Sequence, residues 1–254
     1  MTSLVWAWLT RAASWQGEGG IPHRLLQHVE YTLVVVLIAA LLAIPVGLFV
    51  GHTGRGRWLV SSANIARAVP TLGLLFAVTL WVGPHIRGNL AFVVPSVIVL
   101  VLLAMPPILS GTYAGIEAVD PEARDAAAGV GMTGGEVLRQ VEIPNALPLM
   151  LSGLRSAVLQ VLATATISAS VGMGGLGRFL IDGQQQGDYG QAAGGALLVA
   201  LLALVIDALL AGLQRLVVSP GLTDRASRRS RRGNDSPAGG KVHAANPVDA
   251  ATTV

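Results

Sequence analysis

The stretch DPEARDAAAGVGMTGGEVLRQVEIP, residues Asp120–Pro144, decides the fold. Its local chemistry describes two short helices with a joint between them. Asp120 can cap the first, with Pro121 at the first helical position, where a missing N–H costs nothing. Gly129 and Gly131 end it. Thr133 and Glu136 have the spacing of a capping box, which starts a second helix running through Gln140. Pro144 then leads out of the loop. A plain linker needs no such caps, so an ordered, amphipathic pair predicts a docking surface.

Working outward, apolar runs flank this loop on both sides. A spanning helix needs roughly 20 residues to cross about 30 Å of hydrocarbon. Five runs meet that length, at about residues 31–50, 58–82, 90–110, 147–171 and 192–218. Pro45, Pro70, Pro95, Pro106 and Pro107 interrupt them. In a bundle, neighbouring helices and hydroxyls can satisfy the carbonyls that prolines leave free. Composition agrees: of 254 residues only 12% are charged, and mean hydropathy is +0.62. Soluble domains carry about 25% charged residues, so this surface is too apolar to face water throughout. The predicted fold class is therefore all-α, a polytopic membrane bundle of about five transmembrane helices.

The formal charge of +3 does not point to nucleic acid, because much of the arginine excess sits in one tail and in short loops. His52, Arg55 and Arg57 lie between the first two spans; Arg215, Arg225, Arg228, Arg229, Arg231 and Arg232 follow the fifth. The positive-inside rule makes that side cytoplasmic, together with the loop at 116–145, and puts the N-terminus outside. Residues 1–28, with Trp6, Trp8 and Trp15, are expected to lie on the outer face as an interfacial segment, and no cleavable signal is expected. Residues 29–220 form the expected transmembrane domain. Residues 221–254 lack periodicity and read as a disordered basic cytoplasmic tail able to touch anionic lipid.

The loop's residues resemble a known family. Asp125-Ala126-Ala127, then Gly131, Val141 and Ile143-Pro144 resemble the EAA motif of binding-protein-dependent ABC importer permeases. That motif runs Glu-Ala-Ala, three residues, Gly, nine residues, Ile, one residue, Leu-Pro. The spacing matches throughout; the departures are Asp125 for Glu, Val141 for Ile and Ile143 for Leu. Resemblance extends over about residues 25–220. The segments ARAVPTLGLLF (from Ala66), MPPILSGTYAGIEAVDP (from Met105) and ASVGMGGLG (from Ala169) are similar to the choline, glycine betaine and carnitine permeases, the osmoprotectant subclass.

The resemblance implies a type I, MetI-like permease working by alternating access, paired with itself or a related permease. It also implies ATPase subunits that dock on the loop, an external substrate-binding protein, and no enzymatic activity in this chain. Asp125, Ala126, Ala127, Gly131, Thr133, Glu136 and Pro144 become the expected coupling residues. The chain itself is expected to bind no cofactor, ATP and Mg being held by the partner ATPase. A P-loop is absent, and the single lysine, Lys241, lies in the tail. Gly172–Gly177 formally satisfies G-x-G-x-x-G, but an apolar helix precedes it instead of a strand, so it reads as an external turn where backbones approach closely. The scattered histidines His23, His28, His52, His85 and His243 lack metal-ligand spacing, and no catalytic constellation is present.

Two further groups stand out inside the spans. Ser156, Gln160, Thr164 and Ser168 recur every four residues as a polar stripe on the fourth span; with Pro70 and Thr71 they are candidates for the solute path, or for glue between helices. Arg67, Arg155 and Asp207 sit at similar depth, and Asp207 is expected close to Arg155, Arg67 or both, as a charge-compensated cluster in preference to a direct solute contact. Two rival readings are an ABC permease for another small solute, such as an amino acid, and a standalone ion-coupled carrier. A carrier would place several acidic residues at mid-membrane, and Asp207 is the one candidate here.

Overall fold

The computed structural model describes residues 2–217, and every regular element among them is helical. A short helix α1 (Thr2–Leu9) and a 3₁₀ turn precede α2 (Ile21–Thr53), α3 (Arg57–Ala66), α4 (Thr71–Val82) and α5 (Leu90–Glu117). The loop carries α6 (Pro121–Gly129) and α7 (Gly134–Val137), which continues through a π-helical turn (Leu138–Glu142) into α8 (Ile143–Ser168). Helices α9 (Gly177–Gln186) and α10 (Tyr189–Val217) complete the described chain. The expected tail at 221–254 lies outside the described residues.

Four helical stretches are long and apolar enough to cross a membrane: Ile21–Thr53, Leu90–Glu117, Gly134–Val171 and Tyr189–Val217. The expected second span is not one of them. It is broken at Arg67–Pro70 into α3 and α4, 10 and 12 residues long. Proline cannot donate to the helix ladder and pushes the residue before it out of the helical region. Residues 67–70 are all exposed, and the chain tightens at the break through Arg67 N–H to Asn64 O and Ala68 N–H to Ile65 O. The two pieces together still cover the thickness of one crossing.

Prolines inside α5 have the opposite outcome. Pro107 leaves the carbonyl of Leu103 without its helical donor, and Gln160 of α8 supplies one, with Nε2 3.0 Å from that oxygen. The helix continues unbroken. Around this point α2, α5 and α8 form the core, built on Val35, Ala39, Ala43, Leu100, Ala104, Ile108, Ala157 and Val161.

Small residues set the spacing. A Cβ on Gly47 would fall 2.7 Å from Thr112 Cβ, one on Gly51 2.7 Å from Ile116 Cβ, and one on Gly115 2.8 Å from the carbonyl oxygen of Ala146. Gly111 and Gly153 face each other so closely that a Cβ on Gly153 would lie 2.5 Å from Pro107 O. Lipid tails are as apolar as leucine, so close backbone approach takes over the work that hydrophobic burial does in water.

Helix α10 is different. Its buried residues are Gly190, Gly194 and Gly195, and it meets α1 and α9 at one end, where Trp8 sits edge-on to Phe179 at a centroid distance of 5.1 Å. The helix α2 extends ten residues further toward that end than the apolar run suggested, and α1 packs there with Trp8 buried while Trp6 and Trp15 stay exposed. Trp8 is therefore part of the packed cluster at this end, with Ile21, Leu176 and Phe179.

Candidate functional site: the loop and its attachment to the bundle

The loop forms as its local chemistry requires. Asp120 Oδ1 accepts the Glu122 N–H at 3.0 Å, which starts α6. The helix ends in paired bonds, Met132 N–H to Ala127 O (3.2 Å) and Gly131 N–H to Ala128 O (3.0 Å). That pattern needs a left-handed residue at the joint, and Gly131 has φ +90°. Glu136 Oε2 then accepts both the backbone N–H (2.7 Å) and the hydroxyl (2.8 Å) of Thr133. Those two bonds hold the Glu136 carboxyl below its ordinary pKa. The helix runs on from α7 through the π turn into α8, with Pro144 as the second residue of α8.

Of the expected coupling residues, Ala127 is buried against the bundle, while Asp125, Ala126, Gly131, Thr133, Glu136 and Pro144 are exposed. Val130 beside them is 78% exposed. Asp125 makes no hydrogen bond or ion pair among the described residues. The outer face of α6 is thus low, alanine-rich and open, with the carboxylates of Glu122 and Asp125 exposed on the helix and Val130 just beyond its end.

Beneath α6 lies a group that sequence reasoning missed. Glu142 is 2% exposed, and its two oxygens meet two different helices. Oε2 accepts from Nδ1 of His52, in the last turn of α2, at 2.7 Å. Because a carboxylate only accepts, the imidazole carries its proton on Nδ1 in this contact. Oε1 lies 2.9 Å from Nε of Arg124 on α6, a charge contact without hydrogen-bond alignment. The same guanidinium donates through its terminal nitrogen to the Ile116 carbonyl at the end of α5. The π turn places the carboxylate there: Val137, Glu142 and Ala146 are all buried, at spacings of five and then four residues. A signal existed in the sequence, since an acid at the head of an apolar span calls for cations at the same end.

The intramembrane charges are only partly brought together. Arg155 of α8 and Asp207 of α10 form a two-pronged pair at 2.6 and 2.7 Å, each side chain about a third exposed. Arg67 takes no part. It sits at the exposed break between α3 and α4 and makes no ion pair among the described residues, so of the two arginines expected near Asp207 it is Arg155 that pairs, and the cluster does not include Arg67. Depth counting gives position along the bundle axis but not around it.

The polar stripe also divides. Ser156 is exposed, and Gln160 is half-buried and committed to Leu103 O. Thr164 and Ser168 are buried. The three hydroxyls each bond the carbonyl four residues back, at 3.0, 2.7 and 3.2 Å in chain order. From Gln160 onward the stripe is therefore seated against α5 and neighbouring elements, and it does not form a continuous open lining. Pro70 and Thr71 lie at the break that starts α4. The glycine-rich turn packs as a close approach: a Cβ on Gly174 would lie 2.7 Å from Gln27 Oε1 and one on Gly175 2.9 Å from His28 Nδ1.

Comparison with known proteins agrees with this architecture. Residues 30–219 match the family described as binding-protein-dependent transport system inner membrane component. The glycine betaine/carnitine/choline transport system permease protein OpuCB of Bacillus subtilis (strain 168) is 32% identical over 211 residues, covering 82% of this chain and 93% of that one. The osmoprotectant import permease protein OsmW of Salmonella typhimurium is 32% identical over 200 residues, covering 77% and 91%. Among solved structures, an inward-facing form of the MetNI methionine ABC transporter shares the fold, with TM-score 0.65 at 22% identity over 78% of this chain and 96% of that one. With the family profile spanning most of a bundle whose one elaborated loop carries the Asp125–Pro144 spacing, the chain belongs to the binding-protein-dependent transport system inner membrane components, the multi-pass permease subunits of ABC importers.

Proposed function

We propose that this permease carries an osmoprotectant of the quaternary-amine class, such as glycine betaine, choline or carnitine, across the membrane. The observation that carries the reading is the α6–α7 loop: an ordered, doubly capped pair of helices whose alanine face is open and whose spacing is that of the EAA motif. A separate ATPase docks there, at Asp125, Ala126, Ala127 and Gly131, supported by Thr133, Glu136 and Pro144. That ATPase holds ATP and Mg, and this chain holds no cofactor. A second permease, identical or related, completes the path, and an external binding protein delivers solute. The loop and the C-terminus face the cytoplasm and the N-terminus faces outside, as the placement of arginine supports. The names of the relatives support the solute class.

Co-reconstitution of the chain with its ATPase and binding protein in liposomes tests this reading. ATP-dependent uptake of labelled glycine betaine, choline or carnitine is expected, together with loss of ATPase binding in Ala126→Trp. Uptake confined to amino acids would overturn the solute class. Normal assembly and uptake in both Ala126→Trp and Gly131→Val would overturn the docking role.

A further inference from the structure

We propose that Glu142 is a positioning residue that conveys displacement of α6 into α2, α5 and α8 together; the proposal rests on the docking role of the α6–α7 loop. The covalent links to α6 are short and carry little stiffness of their own: residues 118–120 before it and 130–133 after it, with a left-handed glycine in the second. Apolar contact beneath α6 is small, since Ala127 is its one buried residue. Apolar contacts are also non-directional and allow sliding. A helix pushed by a partner would rock on such a seat without moving the spans.

The polar contacts remove that freedom. Arg124 reaches from α6 to Ile116 O and to Glu142, and Glu142 reaches on to His52. Three elements therefore meet at one buried carboxylate, the last turn of α2, the docking helix α6 and the entry to α8, and Arg124 links them on to the last turn of α5. Pulling the buried Glu142 carboxylate away from Arg124 and His52 leaves its oxygens without partners, which costs more than sliding alanine over valine. The π turn is a second, independent sign, because the wider turn is what brings Glu142 inward, and such turns recur at functional positions. Gly134, at the start of α7, lies beside the other edge of His52, where a Cβ would stand in ordinary contact at 3.5 Å from Nε2.

The test uses the full permease with its ATPase and binding protein in liposomes, measuring uptake of labelled glycine betaine per ATP hydrolysed. Glu142→Gln keeps the size and removes the charge. Its assembled complex is expected to hydrolyse ATP while uptake per ATP falls about fivefold or more, the scale of typical coupling between sites. Arg124→Gln should fall by a similar factor. The double variant should be no worse than either single one, because both act through one contact. His52→Ala should uncouple, whereas His52→Asn, which keeps an N–H donor near the Nδ1 position, should restore most of the ratio. Glu117→Gln, an exposed carboxylate at the same end, is the control expected to match the native ratio. Native coupling in Glu142→Gln would overturn the proposal. So would a fall in uptake and hydrolysis strictly in proportion to the amount of assembled complex, since that is what a merely structural role produces. If the unsubstituted permease fails to bind ATPase, the docking role falls, and if it binds ATPase but imports no glycine betaine, the solute class falls; if it imports normally and Glu142→Gln does too, the role of Glu142 alone falls.

Discussion

Replacing Gln160 with leucine keeps the volume of the side chain but removes the donor that serves Leu103 O across the α5–α8 contact. That carbonyl has no alternative within its own helix, because residue 107 is proline. A buried acceptor left unpaired costs about 1–3 kcal/mol in water-soluble proteins. Measured side-chain hydrogen bonds between membrane helices average about 0.6 kcal/mol and reach about 1.7. Here the unfolded-in-membrane helix carries the same free carbonyl and finds other partners, so the lower scale governs. The expected destabilisation is about 1 kcal/mol, roughly a fivefold change in the folded to unfolded ratio.

The decisive experiment is a double-mutant cycle with Pro107→Ala. Alanine restores the N–H, so the helix ladder itself satisfies Leu103 O and Gln160 becomes dispensable for that bond. Gln160→Leu should cost about 1 kcal/mol in the native background and close to nothing in the Pro107→Ala background, a coupling within the range seen for touching residues. Equilibrium unfolding of the permease in mixed micelles reads both. Packing lost at residue 107 appears in both arms of the cycle and cancels. Equal costs in the two backgrounds would refute the assignment of Gln160 as the donor that lets α5 pass through Pro107.

Other outcomes follow from the same geometry. Asp207→Asn should lower the thermal midpoint of the permease, and Arg155→Leu/Asp207→Leu should recover part of that loss, because removing both charges leaves neither without a partner. Gly153→Ala should destabilise by about 1–3 kcal/mol in the same unfolding assay, since its Cβ would meet Pro107 O and Gly111 Cα at 2.5 and 3.0 Å; Gly212→Ala, with open space around it, should not. Gly131→Val forces a branched side chain to φ +90°, a strain of about 1–3 kcal/mol, with nothing within 4 Å to clash; hydrogen exchange should show the change confined to the loop. Glu136 has a carboxyl pKa below its ordinary value, so its contribution is present above that value and is lost as pH falls through the folded one; exchange protection at Thr133 should therefore drop on acidification, and Glu136→Gln should remove the drop.

What was legible in the sequence follows a physical line. The caps of α6 and α7 could be read because capping is local: Asp120, Gly131, Thr133 and Glu136 act on backbone within a few residues. The long apolar crossings could be read because hydrocarbon thickness sets their length. The break at Pro70 could not be separated from the passage through Pro107, because what distinguishes them is a donor 57 residues away on another helix. Arg67 and Arg155 looked equivalent because depth along the axis is sequence-local while position around it is set by packing. Helix α9, between the last two crossings, is short and lacks an apolar run, so hydropathy gives no sign of it. Glu142 was hidden by a change of helical register: counting at 3.6 residues per turn from Val137 does not bring residue 142 to the same face, and only the five-residue turn does.

The distribution of close contacts also bears on how a bundle of this kind can move. Helices α2, α5 and α8 meet at Gly47, Gly51, Gly111, Gly115 and Gly153 with no room for a methyl group. Close-packed interfaces of this sort have discrete arrangements and resist small deformations. Helix α10 buries only glycines at one end and is tied to α8 further along by Arg155–Asp207 and by Gln214 Nε2 to Pro148 O at 3.3 Å. The crossing made of α3 and α4 is interrupted at four exposed residues, with Leu75 as its fully buried anchor in α4. On the proposed docking, a push on α6 enters through Arg124 and is shared at once by α2, α5 and α8, which must then move as a unit. Relative motion is left to the α3–α4 break, whose residues are exposed. Proline at residue 70 therefore differs in setting from Pro107: the first lies at an exposed break between two helices, and at the second Gln160 supplies the missing donor.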